Sequence, residues 1–374
     1  MEVKVTFETI TPLLTGNAWG ECREIKPASL IGSLRFWFEV ICYFSEIVNE
    51  NDYNFSLKRF EKNVDYKEFK KYILKYSNSF ETKIKALLEQ NIPIPAIVFG
   101  TTGWRSLIRI KKIKPIEDYC FGNRLNLPNK ICINKQNYEI EEQNECHEKS
   151  NQEYSVFYFP NPYFFGKFEV IFEVEKNILE SIFYPLLNFM EKYGYWGGKW
   201  NIGFGRLKIR KIEIKKENNW EEIENWKEKK FDFSIFGKGN INFSELVDEI
   251  NCSNIDIKKN DNEKVINTDE IKLCLSKIFE KKIKLIKINI CNEHYLGSVK
   301  KLLKIKLQMR DVFKKDENFD ENQHAILGST KKSKKEGSKI LPYISENGIG
   351  FISIVGRIFL SKSDKITSFP HDKN

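Results

Sequence analysis

No run of about 18 apolar residues occurs in the chain, so no segment is expected to cross a membrane as a helix. Histidine is scarce: His147, His294, His324 and His371 are the only 4 in 374 residues. Cysteines never occur in C-x-x-C pairs. The 8 (Cys22, Cys42, Cys120, Cys132, Cys146, Cys252, Cys274 and Cys291) are scattered. Cys146 beside His147, with Cys120 and Cys132 upstream, fits no zinc finger or ribbon. A reduced, intracellular chain is the simpler expectation. P-loop, nucleophile and metal-triad motifs are missing too, so no metal or cofactor is expected. The opening residues MEVKVTFETI alternate like a strand and lack the basic and apolar blocks of a signal peptide, which points to the cytoplasm.

What the sequence does hold is lysine and aromatics. Lys plus Arg number 61 against 52 Asp plus Glu, a net charge of +9, which permits a nucleic-acid partner without demanding one. Aromatic residues make up 14% of the chain, 29 of them Phe and 15 Tyr, the composition of a packed globular protein. A length of 374 residues exceeds what one core usually serves, so two domains are expected.

The most informative stretch is YGYWGGKWNIGFGR, from Tyr193 to Arg206. Gly194, Gly197, Gly198, Gly203 and Gly205 free its backbone for close approach to a ligand. Interleaved are Trp196, Lys199, Trp200, Asn201 and Arg206. Free backbone NH groups, cations for phosphates and indoles for bases together suit single-stranded nucleic acid. The alternative is an ordinary glycine-rich hairpin whose tryptophans fill the core.

Along the chain, Val3, Val5 and Phe7 alternate with Lys4, Thr6 and Glu8 as a first strand. A loop follows that carries Trp19, Arg23 and Lys26. Helical spacing begins at Ala28, with Ser29 as candidate cap and Leu30, Ile31, Leu34, Trp37, Phe38, Ile41 and Phe44 apolar. Arg35 inside this run either snorkels to the rim or faces a phosphate. Residues 50–95 read as an inserted pair of helices ended by Pro93 and Pro95. A strand over Leu107–Ile113 follows, with Trp104 and Arg105 at its start. Residues 115–152 read as an irregular insertion. A strand over Phe165–Glu175, a helix over Ile178–Met190 with a kink or late start at Pro185, the glycine-rich loop and a strand over Arg206–Ile214 complete the first half. The order β, α, β, β, α, β is that of a ferredoxin-like split βαβ unit. In the second half, strands are expected over Ile283–Ile290 and Gly350–Leu360 and a helix over Asp269–Phe279. Lys331 and Lys332 sit in a polar loop, His324–Ile340, whose composition suits phosphate or a merely solvated lysine run.

These motifs carry a resemblance. TPLLTGNAW, EIKPASLIGSLRFWFEV, VFGTTGWRSLIRI and GGKWNIGFGRL, in this order, resemble the repeat-associated RAMP superfamily of CRISPR systems. More narrowly, they resemble the first RAMP subunit of the type III-B (Cmr) RNA-targeting effector complex. The match spans residues 1–214, and its most specific part surrounds Ser29, Gly32, Leu34, Arg35 and Trp37. Two positions depart from the family pattern: Ile31, where a basic residue commonly precedes the glycine, and Glu39, where another arginine is usual. Arg35 is the contact carried over on this helix. The resemblance implies an α+β chain of tandem ferredoxin-like (RRM-like) domains with antiparallel sheets, helical insertions and a glycine-rich loop. The first domain would span 1–214 and a degenerate second 215–374. It further implies a non-catalytic subunit that holds guide and target RNA near the guide 3′ end, beside other RAMP subunits, in antiviral defence. Candidate RNA contacts are Trp19, Arg23, Lys26, Arg35, Arg105, Lys199, Trp200, Asn201, Arg206, Lys331 and Lys332, with Trp200 or Trp19 stacking on a base. Two other readings are a metal-independent CRISPR RNA-processing endoribonuclease and a scaffold that contacts only protein.

Overall fold

The structure, a computed structural model, describes residues 1–16, 21–141, 153–217, 219–252, 277–279, 282–288, 294–315, 323–328 and 337–356. β1 (Glu2–Thr9) buries every second side chain, Val3, Val5 and Phe7 among them, the pattern of a strand with one face on a core. α1 (Pro27–Phe44) follows, then α2 (Tyr66–Lys75), α3 (Phe80–Glu89), α4 (Ile94–Phe99) and β2 (Ile108–Pro115). Next come β3 (Lys167–Val174), α5 (Tyr184–Lys192), β4 (Leu207–Lys216) and β5 (Asn219–Glu222). The first sheet runs β5–β4–β1–β3–β2, and every neighbouring pair is antiparallel. Phe7 stands opposite Phe168 in the register, with their rings stacked at 5.3 Å. α1 and α5 meet over this apolar face, where the Trp37 ring lies 6.0 Å from Phe189.

Local chemistry moves several element boundaries from where the sequence pattern puts them. Pro93 and Pro95 open α4 rather than end the helix before it; a first-turn proline lacks only an NH that would have no partner anyway. Pro185 likewise stands in the first turn of α5, preceded by a 3-10 turn and a π-helical turn over Leu179–Phe183. Ser29 is not the cap of α1: Lys26 holds that position, and Ser29 lies one turn inside. The insertion after β2 is partly ordered, with Lys130–Asn134 pairing with both Ile140–Glu141 and Tyr154–Tyr158. Cys22, Cys42 and Cys120 are free and buried, whereas Cys132 and Cys252 each take part in a disulfide, contrary to a wholly reduced chain. Spacing along a chain does not report which thiols meet in space.

The second sheet contains β6 (Val247–Cys252), β7 (Ile283–Ile288), β8 (Ile340–Ser345) and β9 (Gly348–Ser353), in the order β6–β7–β9–β8. β6 and β7 are parallel, so this sheet is not uniformly antiparallel as expected. A parallel pair needs a crossover of about a dozen residues or more, and the chain between Cys252 and Ile283 supplies that length. α6 (Tyr295–Lys315) packs against this sheet and buries Val299, Leu302, Leu303, Ile305, Met309 and Phe313. Its apolar spacing is crowded by lysines, which hides it in the sequence. Of the helix expected over Asp269–Phe279, only a 3-10 turn over Lys277–Phe279 lies within the described residues. Residues 357–360 of the last expected strand lie outside them.

One side chain ties the two sheets together. Arg206 is 1% exposed. Its terminal nitrogens donate to the backbone oxygens of Glu191 at 2.9 Å, Lys192 at 2.8 Å and Gly194, and its Nε to Ile344 at 3.4 Å. The guanidinium lies 4.7 Å from the Tyr343 ring centre and 5.4 Å from that of Tyr195. Among the described residues no carboxylate pairs with it. None is needed, because the carbonyls at a helix C-terminus carry partial negative charge that a cation complements. Tyr195 Oη donates to the Pro342 carbonyl at 2.8 Å and Tyr343 Oη to that of Lys192 at 2.8 Å, which completes the seam. Replacing Arg206 with Met should strand several buried carbonyls and lower the unfolding free energy by about 3 kcal/mol or more. Denaturant titration of the two proteins checks this.

Candidate nucleic-acid interface

A cleft of about 540 Å³ opens where three segments converge. The loop after β1 contributes Leu14, Thr15 and Gly16; α1 contributes Ser29, Gly32, Ser33 and Phe36; the glycine-rich loop contributes Gly197, Gly198, Lys199 and Trp200. The α1 residues are spaced at i, i+3, i+4 and i+7, hence share one helix face. A Cβ added to Gly32 would meet nothing within 4 Å, so this face opens onto free space. Pro27 opens the 18-residue helix, no acidic residue stands in its first turn, and no side chain caps it. Its N-terminal partial positive charge therefore reaches the cleft uncancelled by its own residues.

The loop is bent to this shape by internal bonds. Gly197 NH donates to Ser33 Oγ at 2.9 Å and Gly198 NH to the Leu14 carbonyl at 2.8 Å. Gly205 NH donates to the Pro12 carbonyl at 2.8 Å. These NH groups are not free for phosphates, which corrects the expected anion-binding concavity: buried NH groups take the nearest acceptor. Glycine is required at 197, where φ is +70° and an added Cβ would stand 2.2 Å from the Leu14 oxygen. Lys199 also adopts a left-handed backbone, φ 63° and ψ 33°, uncommon for a residue with a Cβ. Its side chain is thereby exposed at the cleft.

The tryptophans divide between core and cleft. Trp196 is 1% exposed, edge-on to Phe7 at 5.2 Å. Trp200 is half-buried: its Nε1 donates to the Trp196 carbonyl at 3.3 Å, and its ring rests 5.2 Å from Phe36 and 6.0 Å from Tyr195. An indole braced in this way is preordered for stacking.

Of the other candidates, Lys26 and Arg23 stand at the approach to α1, close to Glu24 at 3.9 Å and Glu21 at 3.3 Å respectively. Asn201 is exposed on the turn Trp200–Ile202, and Arg105 is exposed in the loop before β2; neither lines the cleft. Trp19, Lys331 and Lys332 lie outside the described residues, as do His147 and His371. Arg206 is the buried seam already described, with four of its five N–H donors taken by backbone carbonyls, so it is no RNA contact. Arg35 is also turned inward. It donates to Glu39 at 3.0 Å, Glu61 at 3.2 Å and the carbonyls of Gly100 at 3.0 Å and Phe60 at 3.2 Å. Neither expected fate, snorkelling or phosphate, applies. Glu39, at one of the positions that depart from the family pattern, supplies the i+4 carboxylate that captures it.

The outward face of the first sheet carries mainly charge, with one indole, Trp220 at its β5 edge, 4.8 Å beneath Lys4 Nζ. Lys4 pairs with Glu213 at 2.9 Å, Lys211 with Glu213 at 3.2 Å and Arg109 with Glu173 at 2.6 Å. An RRM-like surface would place several aromatics there. Ser33 and Phe36, the bracket and the brace of the loop, are not among the candidates that the sequence supplies. The small-residue spacing Ser29, Gly32, Ser33 was the available signal.

A family model for the RAMP superfamily matches residues 6–208, more than half of the chain. The chain belongs to the RAMP superfamily. The cleft of this RAMP protein falls inside the matched residues, as do the second half of β1, all of β2 and β3 and both helices that cover them. Among solved structures, it is similar to the crystal structure of Cmr1 from Pyrococcus furiosus in its apo form. That likeness has 15% identity over 94% of this chain and 86% of that one, with a TM-score of 0.35. No curated protein sequence matches.

Burial pushes the Glu39 carboxyl from its ordinary 4.5 up to about 7, although the bond from Arg35 acts the other way. The folded RAMP protein therefore keeps a proton that the unfolded chain releases between those values. This contribution to stability is fully present below pH 4.5 and is lost as pH rises through about 7. Glu39→Gln removes it, and melting temperatures taken across that window should fall less with rising pH in the variant than in the parent.

Proposed function

We propose that this chain is a non-catalytic RNA-binding subunit of a type III-B CRISPR effector ribonucleoprotein. It holds guide or target RNA near the guide 3′ end beside other RAMP subunits. The observation that carries this reading is the cleft between the α1 N-terminus and the glycine-rich loop. A helix terminus free of acids, the exposed Lys199 and the braced Trp200 converge there. Together they offer electrostatic attraction to a phosphate and a stacking face for a base, without base-edge donors aimed at sequence. A complex that accepts many guides needs this kind of contact and leaves sequence choice to base pairing.

Lys26 and Arg23, just before α1, and Asn201, next to Trp200, would extend the cation and amide surface. Arg105 lies further along the chain's exposed loops and joins them only if the RNA path is long. The strand order β4–β1–β3–β2 supports a ferredoxin-like unit over residues 1–214, with the second sheet as the centre of a divergent unit over 215–374. The cleft lining holds no histidine, carboxylate or thiol among the described residues.

Trp200→Ala should weaken binding of single-stranded RNA by about 1 to 3 kcal/mol, and Lys199→Ala should flatten the salt dependence of what remains. Filter binding over a salt series measures both. End-labelled RNA incubated with the chain in chelator should stay intact. Chelator-resistant cleavage that disappears in His294→Ala or His324→Ala would overturn the non-catalytic reading. Salt-independent or absent binding would favour the protein scaffold.

A further inference from the structure

α2 is a helix with no buried residue. At 100° per residue, Lys67, Lys70, Lys71 and Lys75 fall on one arc together with the exposed Leu74, and Tyr66, Phe69, Tyr72, Ile73 and Tyr76 on the opposite one. Glu68 is the one acid among these residues, 3.8 Å from Lys71. At the helix ends, Tyr66 is 64% exposed and Tyr76 58%. Tyr72 and Tyr76 pair at 4.7 Å, and Lys75 Nζ stands 4.9 Å over the Tyr76 ring.

This surface is held in place. Asp65 caps the helix by accepting from the NH groups of Lys67 at 2.9 Å and Glu68 at 3.2 Å. Phe69 rests on Trp104 at 5.9 Å, and Val64 NH donates to the Thr102 carbonyl at 3.0 Å. A helix this short is marginal by itself, so its retention depends on those anchors.

We propose that α2 is a second contact surface for single-stranded RNA, outside the cleft, with its lysine arc on phosphates and its exposed tyrosines on bases. The proposal rests on the RNA-binding reading of the chain and adds a separate element to it. Charge complementarity selects the occupant. Four lysines facing one acid suit a polyanion, whereas the core of a protein interface is depleted of lysine. Tyrosine adds a stacking face that accepts any base.

The test uses the full chain and a labelled uridine-rich single-stranded RNA. The combined variant Lys67→Gln, Lys70→Gln, Lys71→Gln, Lys75→Gln should reduce the slope of log affinity against log salt by up to about 3, at about 0.7 for each phosphate no longer neutralised. Tyr66→Ala with Tyr76→Ala should weaken binding about fivefold or more, and ultraviolet crosslinks in the parent should map to residues 66–76. Folded α2 variants with parental affinity and slope, and no crosslink to that peptide, overturn the proposal and leave α2 as a face for a protein neighbour. The cleft pair Lys199→Ala, Trp200→Ala separates the two ideas. If it alone weakens binding, the cleft stands and α2 falls. If only the α2 variants weaken binding, the reverse holds. A parent chain that binds no RNA overturns both.

Discussion

The carbonyl oxygens at the C-terminus of α5 must be satisfied where the second sheet partly shields them from water, and Arg206 satisfies them. Much of the architecture follows from that requirement. The glycine-rich loop leaves α5, turns through Trp196 and returns to Arg206 at the start of β4, so the same guanidinium that closes the helix also fixes the loop's exit. Its Nε reaches Ile344, and the Tyr195 and Tyr343 rings lie against it. The second sheet is therefore docked against the loop's far side. Its near side, Gly197 to Trp200, is left to face the cleft.

Cations that look alike in the sequence meet different fates because solvation decides them. A guanidinium can be buried when fixed carbonyls replace its water, as at Arg206, or when carboxylates join them, as at Arg35 with Glu39 and Glu61. Lys199 makes no such pairing among the described residues and stays exposed, held at the cleft by an unusual backbone. On the first sheet's outward face, several cations are paired with carboxylates across strands, as Lys4 and Lys211 are with Glu213 and Arg109 is with Glu173. Lys199 at the cleft and the lysines of α2 are exposed cations.

Membership in the RAMP superfamily fits this division of labour. The matched residues, 6–208, hold both walls of the cleft, whereas the partner sheet that buttresses the loop lies beyond them. A binding loop supported from behind by a separate sheet loses less entropy when it engages a ligand than a free loop does. The internal bonds of Gly197 and Gly198 serve the same end: they hold the segment that leads into Lys199 and Trp200.

The sequence by itself determined the elements with strong periodicity: β1 and β3 through strict alternation, α1 through its apolar stripe, α2 and α3 through helical spacing. It also marked Tyr193–Arg206 as the organising stretch, because glycines at close spacing report backbone demands that are local. Tertiary structure decided which side chains of that stretch face the cleft. Trp196 and Trp200 share one residue type and neighbouring positions, but only contact with Phe7 makes the first a core residue. Arg206 became a seam, and β6 paired in parallel with β7, through partners more than thirty positions away. α6 stayed hidden because its lysines blur the period on which helix reading depends. Periodicity records how a segment meets the core, whereas the fate of a charge or an indole is set by atoms that the chain brings near only on folding.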